Sequence, residues 1–203
     1  MRVDIEHILF WMEAIRNSAD RDRTLESFWR GQINSKVWLI ENLQHYITEP
    51  VTIDIHGGWY GVLASLLFQS ESNDNIKHIT SLDMDIETVA ISKTINMIEF
   101  QENRFNSVHS NMCKTKSSAD IIINTSCEHL TKEEYGKWLH LQPFNSIIVL
   151  QSNNYFDCPE HVNCMKNLKE FEDSSMLDCF ISKELILTKY SRYLLIGKKR
   201  VNA

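Results

Sequence analysis

The chain is poor in the residues that form flexible linkers: three prolines and six glycines among 203 residues. It also has no run of more than three consecutive basic residues, and its formal net charge is -6. This charge argues against a protein that holds nucleic acid mainly through phosphate contacts. With 43% hydrophobic residues, the chain can bury a substantial core. We therefore expect one domain, or one domain with an appendage, whose partners are small molecules or proteins.

Signals for export and for membrane insertion are also missing. The five cysteines follow no regular frame, which is typical of reduced thiols in a cytoplasm and not of a disulfide scaffold. The first residues, MRVDIEHILFWMEAIR, interleave acids with apolar residues, whereas a signal peptide has a basic start and an unbroken apolar centre. No apolar run reaches the roughly 18 residues of a membrane span. The sequence predicts a soluble, cytoplasmic protein.

Apolar residues recur at helical spacing in the first part of the chain and then give way to alternating strands and helices. The first part predicts a helical cap over residues 1–48, in which Ser35 is expected to cap the third helix. The strands predicted after it are Val51–Ile55, Ile76–Leu82, Asn106–Ser110, Ala119–Asn124 and Ser146–Gln151. Helices are predicted between these strands, beginning near Tyr60, after Asp85 and after Thr131, where Thr131 and Glu134 form a capping box. A further helix is predicted to begin at Pro159 and to run through Phe171.

This alternation predicts a parallel sheet, because a crossover helix is needed to return each strand to the same direction. The final stretch, ELILTKYSRYLLIGKK, contains two strand-like runs with a short connection and predicts an antiparallel hairpin. The expected fold class is α/β: a Rossmann-like, doubly wound and mostly parallel sheet with a C-terminal antiparallel hairpin and an N-terminal helical cap. The second predicted domain covers residues 49–203.

The turn after the first predicted strand reads DIHGGWYG, from Asp54 to Gly61. Glycine at such a junction permits positive φ and lets a ligand approach the backbone, and the following helix is expected to direct its free amides over the strand ends. The order of elements, this turn, the acidic residue ending the second strand and the closing hairpin resemble class I S-adenosylmethionine-dependent methyltransferases. NTSCEH, QSNNYF and YSRYLLIG also resemble a group of methyltransferase-like proteins encoded by tailed phages.

The resemblance covers Val51–Lys199 and implies that the chain binds S-adenosylmethionine. It places Asp54 near the ammonium of the cofactor, and Asp83 where a carboxylate accepts hydrogen bonds from both ribose hydroxyls. The remaining residues that it implies for the cofactor site are Gly57, Gly58, Gly61, Asn111, Met112 and Asn124, with Asn111 and Met112 beside the adenine.

Two departures keep other functions open. His56 and Tyr60 stand where the family usually has glycine. The stretch HGGWYG is also a G-x-G-x-x-G dinucleotide fingerprint with histidine in place of the first glycine. The alternatives are therefore an NAD(P)-dependent Rossmann oxidoreductase, a catalytically silent cofactor-binding accessory or structural protein of phage type, and an α/β domain that binds nothing at this turn.

Chemistry is expected beyond the carboxyl ends of the strands, where open α/β sheets bind ligands. The fourth strand ends in NTSCEH, which lacks the N/D-P-P-Y/F tetrad that methyltransferases of exocyclic base amines or of glutamine share. Glu128 and His129 are the candidate catalytic bases. The alternative is that Ser126 and Glu128 cap the next helix and that His129 is packed or solvated. Cys127 is expected to be a small buried residue and not a nucleophile.

Asn153, Tyr155 and His161 follow the fifth strand and are the candidate substrate contacts, with loop polarity alone as the alternative. His161 is expected in the first turn of the helix opened by Pro159. In such a helix Cys164 would point away from His161, so these residues and Cys158 would not converge on one ion, and no metal is predicted.

The sequence thus predicts an S-adenosylmethionine-dependent methyltransferase that acts on an oxygen or nitrogen atom of a small molecule or protein. A phage-encoded chain would act in the host cytoplasm, and a homo-oligomer or a virion partner stays open. The aromatic residues of the helical cap are expected to pack it onto the sheet, namely Trp11, Phe28, Trp29 and Trp38. A lid over the substrate or a subunit contact are alternative roles for these helices.

Overall fold

A computed structural model describes residues 4–201. Within this range the chain forms eight α-helices and seven β-strands, and it divides into two compact units, Met1–Ser110 and Asn111–Ala203. Residues 1–3 of the predicted cap and residues 202 and 203 of the second predicted domain lie outside the described residues. The predicted division at residue 48 stays a prediction. No helix within residues 4–201 is both long and apolar enough to cross a membrane.

Unit 1 contains three parallel strands in the order β3-β2-β1. The strands contain several β-branched residues, which suit a buried sheet, and Ile53, Ile55 and Ile79 are almost fully buried. Its elements are α1 (Ile5–Asn17), α2 (Arg21–Glu26), α3 (Arg30–Leu43), β1 (Val51–His56), α4 (Val62–Phe68), β2 (Ile76–Asp83), α5 (Ile86–Ile95), α6 (Met97–Gln101) and β3 (Phe105–His109).

The N-terminal helices of unit 1 are tied to its other elements by polar contacts. His7 Nε2 lies 2.8 Å from Glu99 Oε1 in a buried pair, and Trp11 Nε1 donates to Ser65 Oγ at 3.0 Å. Two predictions for these helices are wrong. Ser35 lies inside α3, which begins five residues earlier. No side chain caps the start of α3, so no capping residue marks this start in the sequence. Trp29 is 63% exposed and is not a core aromatic.

Unit 2 contains four strands in the order β4-β5-β7-β6. β4 is parallel to β5, whereas β7 is antiparallel to both β5 and β6, so the predicted hairpin is present. This register sets Asn153 directly opposite Arg192. The elements are β4 (Ile121–Asn124), α7 (Lys132–Leu141), β5 (Ile147–Asn153), α8 (Leu168–Ser175), β6 (Leu177–Ile186) and β7 (Ser191–Lys199).

The helix predicted from Pro159 to Phe171 is wrong in its first part. The chain from residue 154 to 167 forms turns, and α8 begins only at Leu168, capped by the Asn167 side chain. The amides of Val162 and Asn163 donate to the carbonyl of Glu128 at 2.9 and 3.0 Å. Because these amides bond to a distant carbonyl, they cannot form the local ladder of a helix.

The predicted fold class is confirmed. Strands β1 to β3 are parallel in unit 1, β4 and β5 are parallel in unit 2, and the chain closes with an antiparallel hairpin. In both units the parallel strands end in polar residues, Asp83 on β2, Asn124 on β4 and Asn153 on β5. Such strand ends are where open α/β sheets bind ligands.

Candidate functional site

The turn between β1 and α4 bonds to the strand beside it. The amides of Gly57 and Gly58 donate to the carbonyl of Leu82 at 2.9 and 3.1 Å. Gly57 has φ 68°, Trp59 has φ 50° and Gly61 has φ 75°, so the turn passes three times through the left-handed region. The amides of Gly57 and Gly58 are thus not free to face a ligand. The helix whose free amides were expected over the strand ends, α4, begins at Val62, two residues later than predicted.

Glycine is required at two positions of this turn by packing. A Cβ at Gly58 would lie 1.9 Å from Ser81 Oγ, and one at Gly61 would lie 2.2 Å from Ser92 Oγ. Gly61 also has φ 75°, and its carbonyl accepts a hydrogen bond from Asn96 Nδ2 at 3.1 Å. The absent side chains thus let β2 and α5 approach the turn closely.

Replacing Gly61 with alanine is expected to lower the free energy of unfolding by about 2–4 kcal/mol, from left-handed strain and the clash with Ser92. The matched control is Gly136→Ala in α7, where a Cβ meets no atom within 4 Å and the helix gains about 0.5–1 kcal/mol. Urea unfolding of both variants measures these changes, and equal stability of the two would contradict the packing argument.

Asp83, the last residue of β2, has a carboxylate that is fixed in place by two backbone amides. Oδ2 accepts from the amide of Trp59 at 2.7 Å, and Oδ1 accepts from the amide of Asp85 at 2.9 Å. Since a carboxylate oxygen can accept about two hydrogen bonds, each oxygen keeps one acceptor site. The half-buried side chain is thus oriented before any ligand arrives.

The two residues that replace the usual glycines are both buried. His56 is fully buried, and burial lowers its pKa to about 4, against a smaller opposing effect of the negative charge of Asp54. The imidazole is therefore neutral at pH 7. Tyr60 is 2% exposed, and the Arg23 guanidinium lies 5.6 Å from its ring centroid. Neither side chain projects into solvent.

Arg23 is a residue near the end of β2 that the sequence analysis missed. It lies in α2 and pairs with Asp85 through Nη1 and Oδ2 at 2.5 Å. This hydrogen bond to Arg23 lowers the pKa of Asp85, which also caps α5 as predicted. The helical cap is thus linked to the residues that follow Asp83.

In unit 2 the candidate catalytic residue Glu128 is the centre of a buried polar network. Its Oε1 accepts from Asn153 Nδ2 at 2.7 Å and from Arg192 Nη1 at 2.6 Å. Arg192 Nη2 also donates to the carbonyl of Thr125 at 2.6 Å. Glu128 is 2% exposed and Arg192 is 9% exposed, so the pair is largely removed from water and depends on these hydrogen bonds.

The two candidate histidines stand side by side next to this network. The rings of His129 and His161 are T-shaped with centroids 4.8 Å apart. His129 Nδ1 lies 3.2 Å from the carbonyl oxygen of Glu160, and His161 Nδ1 lies 2.9 Å from that of Tyr155. Because a carbonyl oxygen only accepts, each Nδ1 is the protonated nitrogen in the neutral ring, and each Nε2 carries the free lone pair.

The other predicted residues of unit 2 form a second group at the end of β4. Asn111 Oδ1 accepts from the amide of Cys113 at 2.8 Å, and Asn124 Nδ2 lies 3.7 Å from Met112 Sδ. Asn124 is fully buried and its Oδ1 accepts from the amide of Ser126 at 2.9 Å. Cys127 is buried, and burial raises the pKa of its thiol well above the usual value, in agreement with a packing role.

The structure brings the predicted residues together within each unit. Gly57, Gly58 and Asp83 meet in unit 1 through the Leu82 carbonyl and the amide of Trp59. In unit 2 the catalytic and substrate candidates form one cluster with Arg192, which the sequence analysis did not propose. The predicted hairpin could have revealed Arg192, because pairing β7 with β5 sets Arg192 opposite Asn153. Asn153 is 1% exposed, so among the substrate candidates only Tyr155 and His161 are partly exposed.

Comparison with known proteins finds similarity in structure only. No protein-family profile and no curated protein matches the sequence. The N-methyltransferase NodS from Bradyrhizobium japonicum WM9, in complex with S-adenosyl-l-homocysteine, matches with TM-score 0.66 and 9% identity over 94% of this chain and 98% of its own.

Two further solved structures are similar. Magnesium protoporphyrin IX methyltransferase (ChlM) from Synechocystis PCC 6803, with bound SAM, matches with TM-score 0.59 and 11% identity over 83% of this chain and 81% of its own. An O-methyltransferase family protein from Burkholderia thailandensis matches with TM-score 0.59 and 12% identity over 98% of this chain and 71% of its own. At these identities the likeness is one of fold: this chain has the Rossmann-like fold of these solved methyltransferases.

Proposed function

We propose that the chain binds S-adenosylmethionine and transfers its methyl group to an oxygen or nitrogen atom of a small molecule or protein. The observation that carries the proposal is the fixed carboxylate of Asp83 at the end of β2. It occurs in a chain whose fold is similar to that of NodS in complex with S-adenosyl-l-homocysteine and of ChlM with bound SAM.

The chemistry of Asp83 suits a ribose. Two adjacent hydroxyls are both donors, and the carboxylate offers one remaining acceptor site on each oxygen. Since the Trp59 and Asp85 amides already orient the carboxylate, little side-chain entropy is lost when a ligand binds. Hydrogen bonds to a charged acceptor contribute about 1.5–3 kcal/mol each, which is enough to make this residue a main determinant of affinity.

In methyl transfer the protein itself does not need to form a covalent bond. A lone pair of the acceptor atom forms a bond to the methyl carbon while the carbon–sulfur bond breaks, and its electron pair stays on sulfur to give S-adenosylhomocysteine. The acceptor's proton passes to a base, so the protein mainly positions the acceptor and receives that proton. Glu128 is held by Arg192 and Asn153, and we assign it a positioning role. The Nε2 lone pair of His129 is the exposed basic group of this cluster.

Calorimetric titration of the full chain tests the cofactor. S-adenosylmethionine and S-adenosylhomocysteine are expected to bind with one site per chain, and NADH is expected not to bind. Binding of NADH alone would favour the oxidoreductase reading of HGGWYG. Release of S-adenosylhomocysteine in the presence of cell extract then separates an enzyme from a catalytically silent binding protein, which would bind the cofactor without turnover.

A further inference from the structure

Three side chains with metal-binding atoms converge in unit 2. Glu128 and His129 follow β4, and His161 lies in the loop after β5. One ligand atom from each residue lies within 4.8 Å of those of the other two. No metal was predicted because a helix would have pointed Cys164 away from His161, but the segment around His161 is not helical.

Both histidines are already in the tautomer that binds a metal through Nε2. Their Nδ1–H groups donate to the carbonyls of Glu160 and Tyr155, which fixes the lone pair on the opposite nitrogen. Metal-ligating histidines almost always donate their second ring N–H to a carbonyl or carboxylate in this way, which orients the ring and raises its basicity.

The carboxylate supplies an independent observation. Glu128 is 2% exposed, and its Oε2 is buried without a hydrogen-bond partner among residues 4–201, although Oε1 accepts two hydrogen bonds. A buried carboxylate oxygen without a partner is costly, and it normally signals a missing ligand, ion or water. An ion bound to Oε2 would supply the missing partner.

We propose that Glu128, His129 and His161 bind one divalent transition-metal ion of the manganese-to-zinc series through Oε2 and the two Nε2 atoms. Two imidazoles and one carboxylate form a donor set that suits these metals, whereas calcium and magnesium prefer all-oxygen sites. Tetrahedral zinc with bonds of about 2.1 Å has ligand atoms roughly 3.4 Å apart. Because the three ligand atoms lie within 4.8 Å of one another, they have to approach each other by at most about 1.4 Å when the ion binds.

Arg192 sets the strength of this site. Its guanidinium already neutralises the charge of Glu128, so the ion gains less Coulomb energy than beside an unpaired carboxylate. We therefore expect an affinity weaker than that of a structural zinc site. Three protein ligands leave at least one position open for water or for an oxygen atom of an acceptor, whose pKa the metal would lower. Binding uses the His129 lone pair, so an occupied site excludes His129 as the free base.

The test is a titration of the EDTA-treated, desalted full chain with cobalt(II), followed by its d–d absorption, and then competition with zinc(II). One ion per chain is expected. His129→Ala and His161→Ala are each expected to weaken binding more than tenfold, and the double variant to abolish it. His140→Ala removes an exposed histidine of α7 in the same unit and is the matched control, with no change expected.

Absence of binding, equal binding by the double variant, or equal loss in His140→Ala would each overturn the site. So would binding of magnesium(II) with no binding of cobalt(II), because it would mean an oxygen-only site. Circular dichroism of each variant shows whether it is folded. The inference is independent of the proposed cofactor, because titration of the metal-free chain with S-adenosylhomocysteine tests that cofactor separately.

Discussion

Replacing Arg192 with methionine is expected to lower the free energy of unfolding by about 3–5 kcal/mol. The substitution keeps much of the apolar stem but removes the partner of Glu128, whose side chain is only 3% exposed. The carboxylate is then a buried charge that retains only the hydrogen bond from Asn153 on Oε1, and the Thr125 carbonyl also loses the donor supplied by Arg192. Urea unfolding measures the loss.

Two controls make this experiment specific. The double variant Glu128→Gln/Arg192→Met removes both charges and is expected to recover most of the loss, because replacing a buried ion pair as a whole is often neutral. Lys169→Ala breaks the Lys169–Asp173 pair of α8, in which both side chains are mostly exposed, and is expected to leave unfolding unchanged. A loss below about 1 kcal/mol in Arg192→Met would contradict the account of the network.

Replacing Asp83 with alanine is expected to weaken binding of S-adenosylhomocysteine at least roughly 100-fold, since two hydrogen bonds to a charged acceptor are worth about 3 kcal/mol or more. The turn at Trp59 also loses the acceptor that holds its amide. Calorimetric titration measures the affinity, at a temperature where circular dichroism shows that the variant is folded.

The matched control for this variant is Asp74→Asn. Asp74 is an exposed acid just before β2, whereas Asp83 ends that strand, so the control removes the same charge from the opposite end of the same strand. It is expected to bind S-adenosylhomocysteine as the wild type does. Equal affinity of Asp83→Ala and wild type would show that the ribose is not bound by this carboxylate.

Local signals in the sequence predicted most of the fold. β1 begins at the predicted residue, the Thr131 and Glu134 capping box is formed, and Asp85 caps α5. The closing hairpin is also present. In the caps, the residues that give the sequence signal also make the capping hydrogen bonds. In the hairpin, the two strands pair across a short connection. Propensity and patterning are reliable under those conditions.

The errors occur where distant residues decide the backbone. Pro159 resembles a helix start, yet the amides that follow bond to the carbonyl of Glu128, more than thirty residues away in the chain. The start of α3 was missed for the opposite reason, because no side chain caps it. No local sequence pattern marks the loop after Pro159 or the start of α3, so a single sequence does not predict either of them.

The residues of the candidate site were named from the sequence, whereas most of their contacts were not. Asp83, Glu128, His129, Asn153 and His161 were all named from the sequence, and the structure gathers the last four into one cluster. The functions of the glycines could not be foreseen, since Gly58 and Gly61 are required by contacts with Ser81 and Ser92. Arg192 and Arg23 were missed because their partners are far away in the sequence.

We proposed that Asp83, at the end of β2, binds the ribose of S-adenosylmethionine, and a crystal structure of the full chain grown with excess S-adenosylhomocysteine would show whether it does. We expect both ribose hydroxyls to lie within hydrogen-bond distance of the Asp83 carboxylate, which keeps its hydrogen bonds from the Trp59 and Asp85 amides. A nucleoside bound elsewhere, or no bound nucleoside at a saturating concentration, would show that Asp83 does not bind the ribose.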